Sequence, residues 1–239
     1  MISFIIPTRN EEKALERTLV ALSAYTGPKE IIVSDGNSTD ATLDIARSYA
    51  DQVIVHAGPV RQNIAQGRNA GAFAARGDIL VFLDADVIID DIDAFFERAL
   101  ARFEDERVSA LTVTCRVFPE DETFMDWLVF GAVLPLSFYI QNNLLRTGGS
   151  TGEFQMVRAS AFANVGGYDE GLVTTEDIDL FWRLAKHGRT LFPLDLAVHH
   201  TGRRAHIVGW PKLLRDWAVD FVSAILFRRS VTQEWEVIR

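Results

Sequence analysis

The octapeptide Ile79-Leu80-Val81-Phe82-Leu83-Asp84-Ala85-Asp86 decides the fold. Its first five residues are apolar without alternation, so the strand they predict must be covered on both faces, as in a parallel sheet packed between helices. The same unit, a strand followed by a helix, recurs on its N-terminal side. Ser3-Phe4-Ile5-Ile6 precedes a helical pattern with Leu15, Leu19 and Leu22 on one face. Glu30-Ile31-Ile32-Val33 runs into a turn from Ser34 to Ser38, and a helix from Ala41 to Tyr49 follows, capped by Ser38 or Asp40. Gln52-Val53-Ile54-Val55 precedes a helix from about Ile64 that Gly77 closes as a C′ residue. This alternation predicts an α/β fold with a mostly parallel central sheet flanked by helices and right-handed crossovers. Such sheets bind ligands beyond the C-terminal ends of their strands, so the loops after these strands are where chemistry is expected.

The second half is less regular. Val108 to Val117 reads as one long strand, an apolar stretch ends near Leu145, and a glycine-rich loop follows, Thr147-Gly148-Gly149-Ser150-Thr151-Gly152. Thr174 or Thr175 caps a helix running to Lys186, with Gly188 beyond its end; short strands and a C-terminal helix complete the chain. At 239 residues, 48 % hydrophobic and 24 % charged, the chain has the composition of a packed globule. It is long enough to bury roughly 70 % of its unfolded surface without metal or disulfide staples. Lys+Arg number 24 against 33 Asp+Glu, a net charge of -9, which argues against nucleic acid as a partner. The single Cys115 leaves no intramolecular disulfide or cysteine-rich zinc module and fits a reducing cytoplasm. Residues 1–7 lack a basic n-region and read as a buried strand, not a signal peptide.

After the first strand comes Pro7-Thr8-Arg9-Asn10-Glu11-Glu12, in which Thr8 and Glu11 have capping-box spacing. After the second comes Asp35, whose carboxylate suits a base edge or ribose hydroxyls. Asp84 and Asp86 have two readings. On a continuing strand, residues two apart point to opposite faces, and the pair belongs to a solvated turn. If the chain turns there, both approach one ligand, and a hard divalent cation takes one or two carboxylates plus substrate phosphates. Gly-x-x-x-x-Gly-Lys-Ser/Thr and Gly-x-Gly-x-x-Gly patterns are missing at strand ends, which argues against an NTPase or a dinucleotide oxidoreductase.

Taken in order, Pro7 to Glu12, Val33-Ser34-Asp35-Gly36-Asn37-Ser38-Thr39-Asp40, Gly67-Arg68-Asn69-Ala70-Gly71 and Leu83 to Asp86 form a series. It continues in Gly166-Gly167-Tyr168-Asp169-Glu170 and Thr175-Glu176-Asp177-Ile178-Asp179-Leu180-Phe181-Trp182-Arg183-Leu184. The series resembles the family 2 glycosyltransferases, inverting, nucleotide-sugar-dependent enzymes of the GT-A fold, over residues 1 to about 190. The resemblance implies a single GT-A domain over 1–239 with a nucleotide-binding half (1–106) and an acceptor and catalytic half (107–200). The last fifty residues match only loosely, and the aromatic, basic-flanked helix there makes 201–239 a helical segment expected to associate with a membrane. The same resemblance implies that Pro7, Thr8, Asn10, Glu11 and Asp35 hold the nucleoside, and that Arg68, Asp84 and Ala85 contact the donor. Asp86 would ligate Mn²⁺ or Mg²⁺ on the diphosphate, with His199 as a further ligand, and Arg203 and Arg204 would clamp the diphosphate. Asp177 would be the catalytic base with Glu176 beside it, and Gly149, Ser150, Thr151 and Gly152 would line the donor sugar or acceptor. Inverting transfer needs a base for the acceptor proton and a cation for the leaving charge, and these carboxylates serve both. The implied reaction moves a sugar from a nucleotide-diphosphate donor, a UDP-sugar first and GDP-mannose next. The apolar Trp127–Ile140 stretch and the aromatic, basic-flanked C-terminal helix make the expected acceptor a glycan or lipid-linked molecule and the expected place the cytoplasm or the inner face of the cell membrane.

Bland readings stand beside these. Thr174 and Asp177 fit a capping box on a helix whose apolar face is Ile178, Phe181 and Leu184. Gly67 and Gly71 fit close helix–sheet packing, and His199-His200 fits strand-end packing. Arg203-Arg204 also fits an exposed loop on anionic lipid. Three other functions compete: a GDP-mannose:lipid-phosphate mannosyltransferase-like enzyme, a sugar nucleotidyltransferase and a non-catalytic nucleotide-sugar-binding module. An acidic, glycine-free first loop counts against the nucleotidyltransferase. Trp127–Ile140 carries no charge and Trp217–Phe227 only Asp220, and both fall short of the ~20 residues a spanning helix needs. The second, flanked by Lys212, Arg215, Arg228 and Arg229, is read as a buried core helix, with a lipid-surface helix as the alternative.

Overall fold

The computed structural model describes residues 1–227, so Arg228, Arg229 and the end of the 201–239 segment lie outside the described residues. Its main sheet has seven strands in the order β3-β2-β1-β4-β7-β5-β8. The strands are β1 (Ile2–Thr8), β2 (Lys29–Asp35), β3 (Gln52–Val55), β4 (Ile79–Leu83), β5 (Val108–Thr112), β7 (Phe154–Arg158) and β8 (Arg189–Leu191). β1 to β4 are parallel, as the strand–helix repeat requires. β7 runs antiparallel between β4 and β5. The expected long strand breaks at Val113, and β6 (Thr114–Val117) leaves to pair with β9 (Ala197–His200) in a second sheet.

Helices cover both faces. On one side, Phe4 and Ile6 of β1 pack with Leu15, Leu19 and Leu22 of α1 (Leu15–Ser23), Ala46 of α2 (Thr42–Tyr49) and Phe95 and Phe96 of α4 (Ile92–Arg102). On the other, Ile5, Leu80 and Phe82 meet α3 (Ile64–Ala74), α6 (Ala159–Asn164) and α7 (Glu176–Ala185), the last through Leu180, Phe181 and Leu184. Alternate residues of β1 thus serve opposite cores, which is why its sequence shows no polar face.

Several local expectations change. No side chain caps α1, and Thr8 donates its hydroxyl to Asp35 instead of forming a box with Glu11. Asp40 accepts the Thr42 backbone N–H at 3.0 Å, whereas Ser38 bonds Asp35. α3 is opened by a capping box of Asn63 and Gln66. It ends at Ala75, and Gly77 is present because a Cβ there would lie 2.6 Å from Ser3 Oγ. Gly71 keeps the packing role, since its Cβ would lie 2.4 Å from Ile5. The apolar stretch near 130 is part of a longer helix, α5 (Phe124–Leu144), of 21 residues, interrupted by wide turns on both sides of the Pro135 segment. By length and composition it can cross a membrane, contrary to the expectation that it was too short, and only 22 % of its apolar window is buried. Two further helices close the described chain, α8 (Arg203–Val208) and α9 (Trp210–Phe227).

Candidate active site

The β4 strand stops at Leu83, and the Val87 N–H bonds the Asp84 carbonyl at 3.2 Å, so the chain turns at the acidic pair. That turn brings Asp84, Ala85 and Asp86 to one wall of a cleft of about 780 Å³ at the C-terminal rim of the parallel strands. Pro7 and Thr8 line it from the end of β1 and Glu11 from the loop after it, Arg61 to Asn63 from the segment before α3 and Arg68 from α3, Ser150 to Glu153 from the loop before β7, and Glu176 and Asp177 from the start of α7. Arg203 and Arg204 close it on a further side.

Arg68 is the centre of this arrangement. Its side chain has no exposed surface, and its guanidinium reaches Glu176 at 2.8 Å, the Gly152 carbonyl at 2.7 Å and Asp84 at 3.2 Å. Its fork therefore ties three chain segments, with Tyr168 packed against it at 5.4 Å. Asp177 has no such partner; its Oδ1 accepts the Ile178 backbone N–H at 2.8 Å. Burial and the adjacent Glu176 carboxyl push the Asp177 carboxyl well up, against the pull of Arg68. Burial likewise raises Glu176. Burial pushes Asp84 up to about 7 despite Arg68, while a third of its side-chain surface stays open to the cleft. Asp86 is bonded by the Thr201 hydroxyl and approached by Arg203 at 3.5 Å. Arg203 also makes a two-pronged pair with Glu11, both contacts at 2.7 Å.

The capping alternative for Asp177 fails. Thr175 sits at the helix start with a left-handed φ of 64° and makes no side-chain cap, and Asp177 itself occupies the first turn. There a carboxylate is favoured by the helix dipole while remaining beside the cleft.

The remaining expected residues do not line the cleft. Asp35 is fully buried and accepts from Thr8 at 3.2 Å and the Ser38 backbone at 2.8 Å. Asn10, at φ 55°, bonds the Thr39 N–H and braces the same loop. Both tie the loop after β1 to the turn after β2. Gly149 lies behind the wall, its carbonyl bonded by Asn142 at 2.8 Å. His199 is turned away from the cleft: Nδ1 faces Asp90 at 3.2 Å and the ring stacks on Phe118. The structure gives it no place as a metal ligand beside Asp86. Its neighbour His200 lines the cleft, with Nε2 buried and, among the described residues, without a hydrogen-bond partner. Its Nδ1 accepts from the Gly202 N–H, so Nε2 carries the proton and can donate.

Glu153 escaped sequence reasoning. It joins the acidic wall because β7 is antiparallel: Phe154 pairs with Leu83, and the Asp84 N–H bonds the Glu153 carbonyl at 3.2 Å. The start of an antiparallel strand shares a rim with the ends of its parallel neighbours, which a search of parallel strand ends overlooks.

Oxygen donors at Asp84 and Asp86 suit a hard divalent cation. Among the described residues, no group of three or more His, Cys, Asp or Glu forms a ready-made metal site. Two carboxylates alone leave most of a cation's coordination to other oxygen donors, such as substrate phosphates.

A twisted, mostly parallel sheet with an acidic turn after β4 and a carboxylate pair opening α7 defines a nucleotide-diphosphosugar transferase fold of the GT-A type. Residues 3–166 match the family described as Glycosyl transferase family 2, and the chain belongs to that family. It is similar to the succinoglycan biosynthesis protein ExoA of Rhizobium meliloti, 29 % identical over 211 residues, covering 80 % of this chain and 60 % of that protein. It is 28 % identical over 232 residues to the pre-mycofactocin glycosyltransferase of Mycobacterium tuberculosis, covering 90 % of this chain and 44 % of that one. The chain thus spans less than two thirds of the length of both relatives. Among solved structures, the mannosyltransferase PcManGT of Pyrobaculum calidifontis, in complex with GDP-Man and Mn²⁺, superposes with a TM-score of 0.67 at 22 % identity, covering 84 % of this chain and 56 % of that one. S. aureus TarS 1-349 in complex with UDP gives 0.65 at 21 % identity, covering 83 % and 59 %.

Proposed function

We propose that the chain transfers a sugar with inversion from a nucleotide-diphosphate donor, a UDP-sugar before GDP-mannose, to a glycan or lipid-linked acceptor. It works on the cytoplasmic side, in peripheral contact with the membrane. The front half to residue 106 takes the donor, and the rest supplies the base and the acceptor surface. One observation carries the reading: Asp84, Asp86, Glu176 and Asp177, from two distant segments, converge on a single cleft beside the Pro7–Glu11 loop.

Asp177 takes the proton of the acceptor hydroxyl during in-line attack on the anomeric carbon. Burial and Glu176 make its carboxylate a stronger proton acceptor than an ordinary aspartate, and Arg68 keeps the pair ionisable. Asp86, with Asp84, would hold Mn²⁺ or Mg²⁺, which when bound neutralises charge on the departing diphosphate. Arg203, moved off Glu11, has the fork geometry to grip a phosphate with two hydrogen bonds. Ser150 to Gly152 border the sugar beside Asp177. No covalent nucleophile is needed.

The test is release of nucleoside diphosphate from a panel of UDP- and GDP-sugars with Mn²⁺, Mg²⁺ or EDTA. Metal-dependent hydrolysis or transfer is the expected result. Nucleotide binding without turnover across donors and acceptors would instead favour the non-catalytic module.

A further inference from the structure

Part of the cleft wall is apolar: Phe130, Leu134 and Phe138 of α5, at helical spacing, and Leu213, Trp217 and Phe221 of α9. The two helices pack against each other through this seam, with Phe130 against Trp210 and Trp217. Their outer faces are equally apolar. Val133, Leu136, Ile140 and Leu144 of α5 stand exposed, Leu136 and Leu144 each at 62 %. On α9 the pattern is inverted: Asp220 and Ser223 are buried while Val219 and Val222 stand outward, Val222 at 52 %. A helix packed on a protein core and facing water shows the opposite order. Exposed apolar faces of this extent mark a surface covered by something apolar. Lys212 and Arg215, both exposed on α9, border it.

We infer that the seam between α5 and α9 is a binding site for the apolar stem of a lipid-linked acceptor. The stem lies along Leu134, Leu213 and Trp217, and its sugar head reaches Asp177. The outer faces of the same helices rest in the lipid surface from which that acceptor enters. The inference rests on the transferase reading and deepens its acceptor class. The Pro7–Glu11 loop, the carboxylates and the apolar seam line a single cleft, the three kinds of surface that nucleotide, reacting sugar and lipid stem require. Interfacial helices with apolar outer faces and flanking basic residues bind bilayers in this orientation.

The test uses n-alkyl β-glucosides of increasing stem length, titrated below their micelle concentrations into the full chain, with Kd read by calorimetry. Kd should fall about three- to fourfold for each methylene the seam buries. Leu134→Gln and Trp217→Gln should flatten that dependence, with the shortest glucoside as the internal reference. A cooperative urea transition identifies variants that have folded, and if neither folds the wild-type series alone decides. Affinity independent of stem length, or no binding by any member, overturns the inference. Metal-dependent donor hydrolysis is followed in parallel: hydrolysis with a flat series removes only the stem site. A length-dependent series without any donor turnover removes the transferase reading and leaves the site.

Discussion

Replacing Arg68 by methionine tests the arrangement at its centre. Methionine keeps much of the buried stem but removes the fork that serves Glu176 at 2.8 Å, Gly152 O at 2.7 Å and Asp84 at 3.2 Å. Two carboxyl groups and a carbonyl then lose their partner away from bulk water. Removing one member of a buried ion pair costs about 3–5 kcal/mol, a large share of the ~5–15 kcal/mol that holds a domain together. The cost depends on pH, and its sign can be worked out. Burial already raises Glu176 and Asp177, with Arg68 pulling both back. Without Arg68 both rise further, so the folded variant binds protons more readily than its unfolded chain. Its stability therefore declines as pH rises from the ordinary carboxylate range through the raised values. Urea denaturation of wild type and Arg68→Met at about pH 5 and about pH 7.5 should show the larger deficit at the higher pH. Arg68→Lys keeps the charge but cannot reach three acceptors at once, and should lose about 1.5–3 kcal/mol. A neutral-pH deficit below about 1 kcal/mol for Arg68→Met, or one equal at both pH values, would refute the claim that Arg68 holds the carboxylates in place.

Four further outcomes are expected. Asp177→Asn should lower kcat by about 10²–10⁴-fold at saturating donor, and turnover within tenfold of wild type would remove the base role. In kcat/KM profiles the acid limb should lie above the ordinary carboxylate range, because burial and Glu176 raise Asp177; Glu176→Gln should move that limb to lower pH, and an upward shift contradicts this. Gly152→Ala places a Cβ 3.1 Å from Arg68 Nη2 and 3.7 Å from Asp177 Oδ2, and calorimetric melts should show a loss of about 1–3 kcal/mol. Asp126, fully buried, is bonded by Thr123, by His206 at 2.8 Å and by Trp210 at 3.1 Å, which clips α5 to α8 and α9. Burial opposes its ionisation, but the Thr123 and His206 bonds outweigh burial and hold the carboxyl below its usual range. Its contribution is therefore complete above about pH 4 and lost as pH falls below it, so Asp126→Asn should lower the melting temperature at neutral pH and matter less in acid.

The parallel half of the fold was legible because its signals are local. Five apolar residues before Asp84 require two covered faces, and the strand ends then identify the loops that line the cleft. What escaped was set by partners far away in sequence. β7 inserts antiparallel between β4 and β5, so Glu153 reaches the acidic wall from a strand start. Gly77 looked like a helix terminus but answers a close approach by Ser3, 74 positions away. The single long strand expected from Val108 to Val117 is divided between two sheets because Thr114 to Val117 pair with Ala197 to His200.

Arg68 shows most clearly how a site can be legible in outline while the ties within it stay hidden. In sequence it is a charged residue on a helix, where the ordinary expectation is a side chain reaching toward solvent or ligand. Its neighbours Ala65, Gly67 and Gly71 are small and buried, which draws α3 close to β1 and leaves position 68 on the inward face. A guanidinium there is tolerable only if acceptors surround it, because an unpaired buried charge costs several kcal/mol. Those acceptors come from residues 84, 152 and 176, each supplied by a different part of the chain. The cation expected to contact the nucleotide lines the cleft and also pairs with Asp84 and Glu176, so one buried positive charge ties together carboxylates from distant parts of the chain.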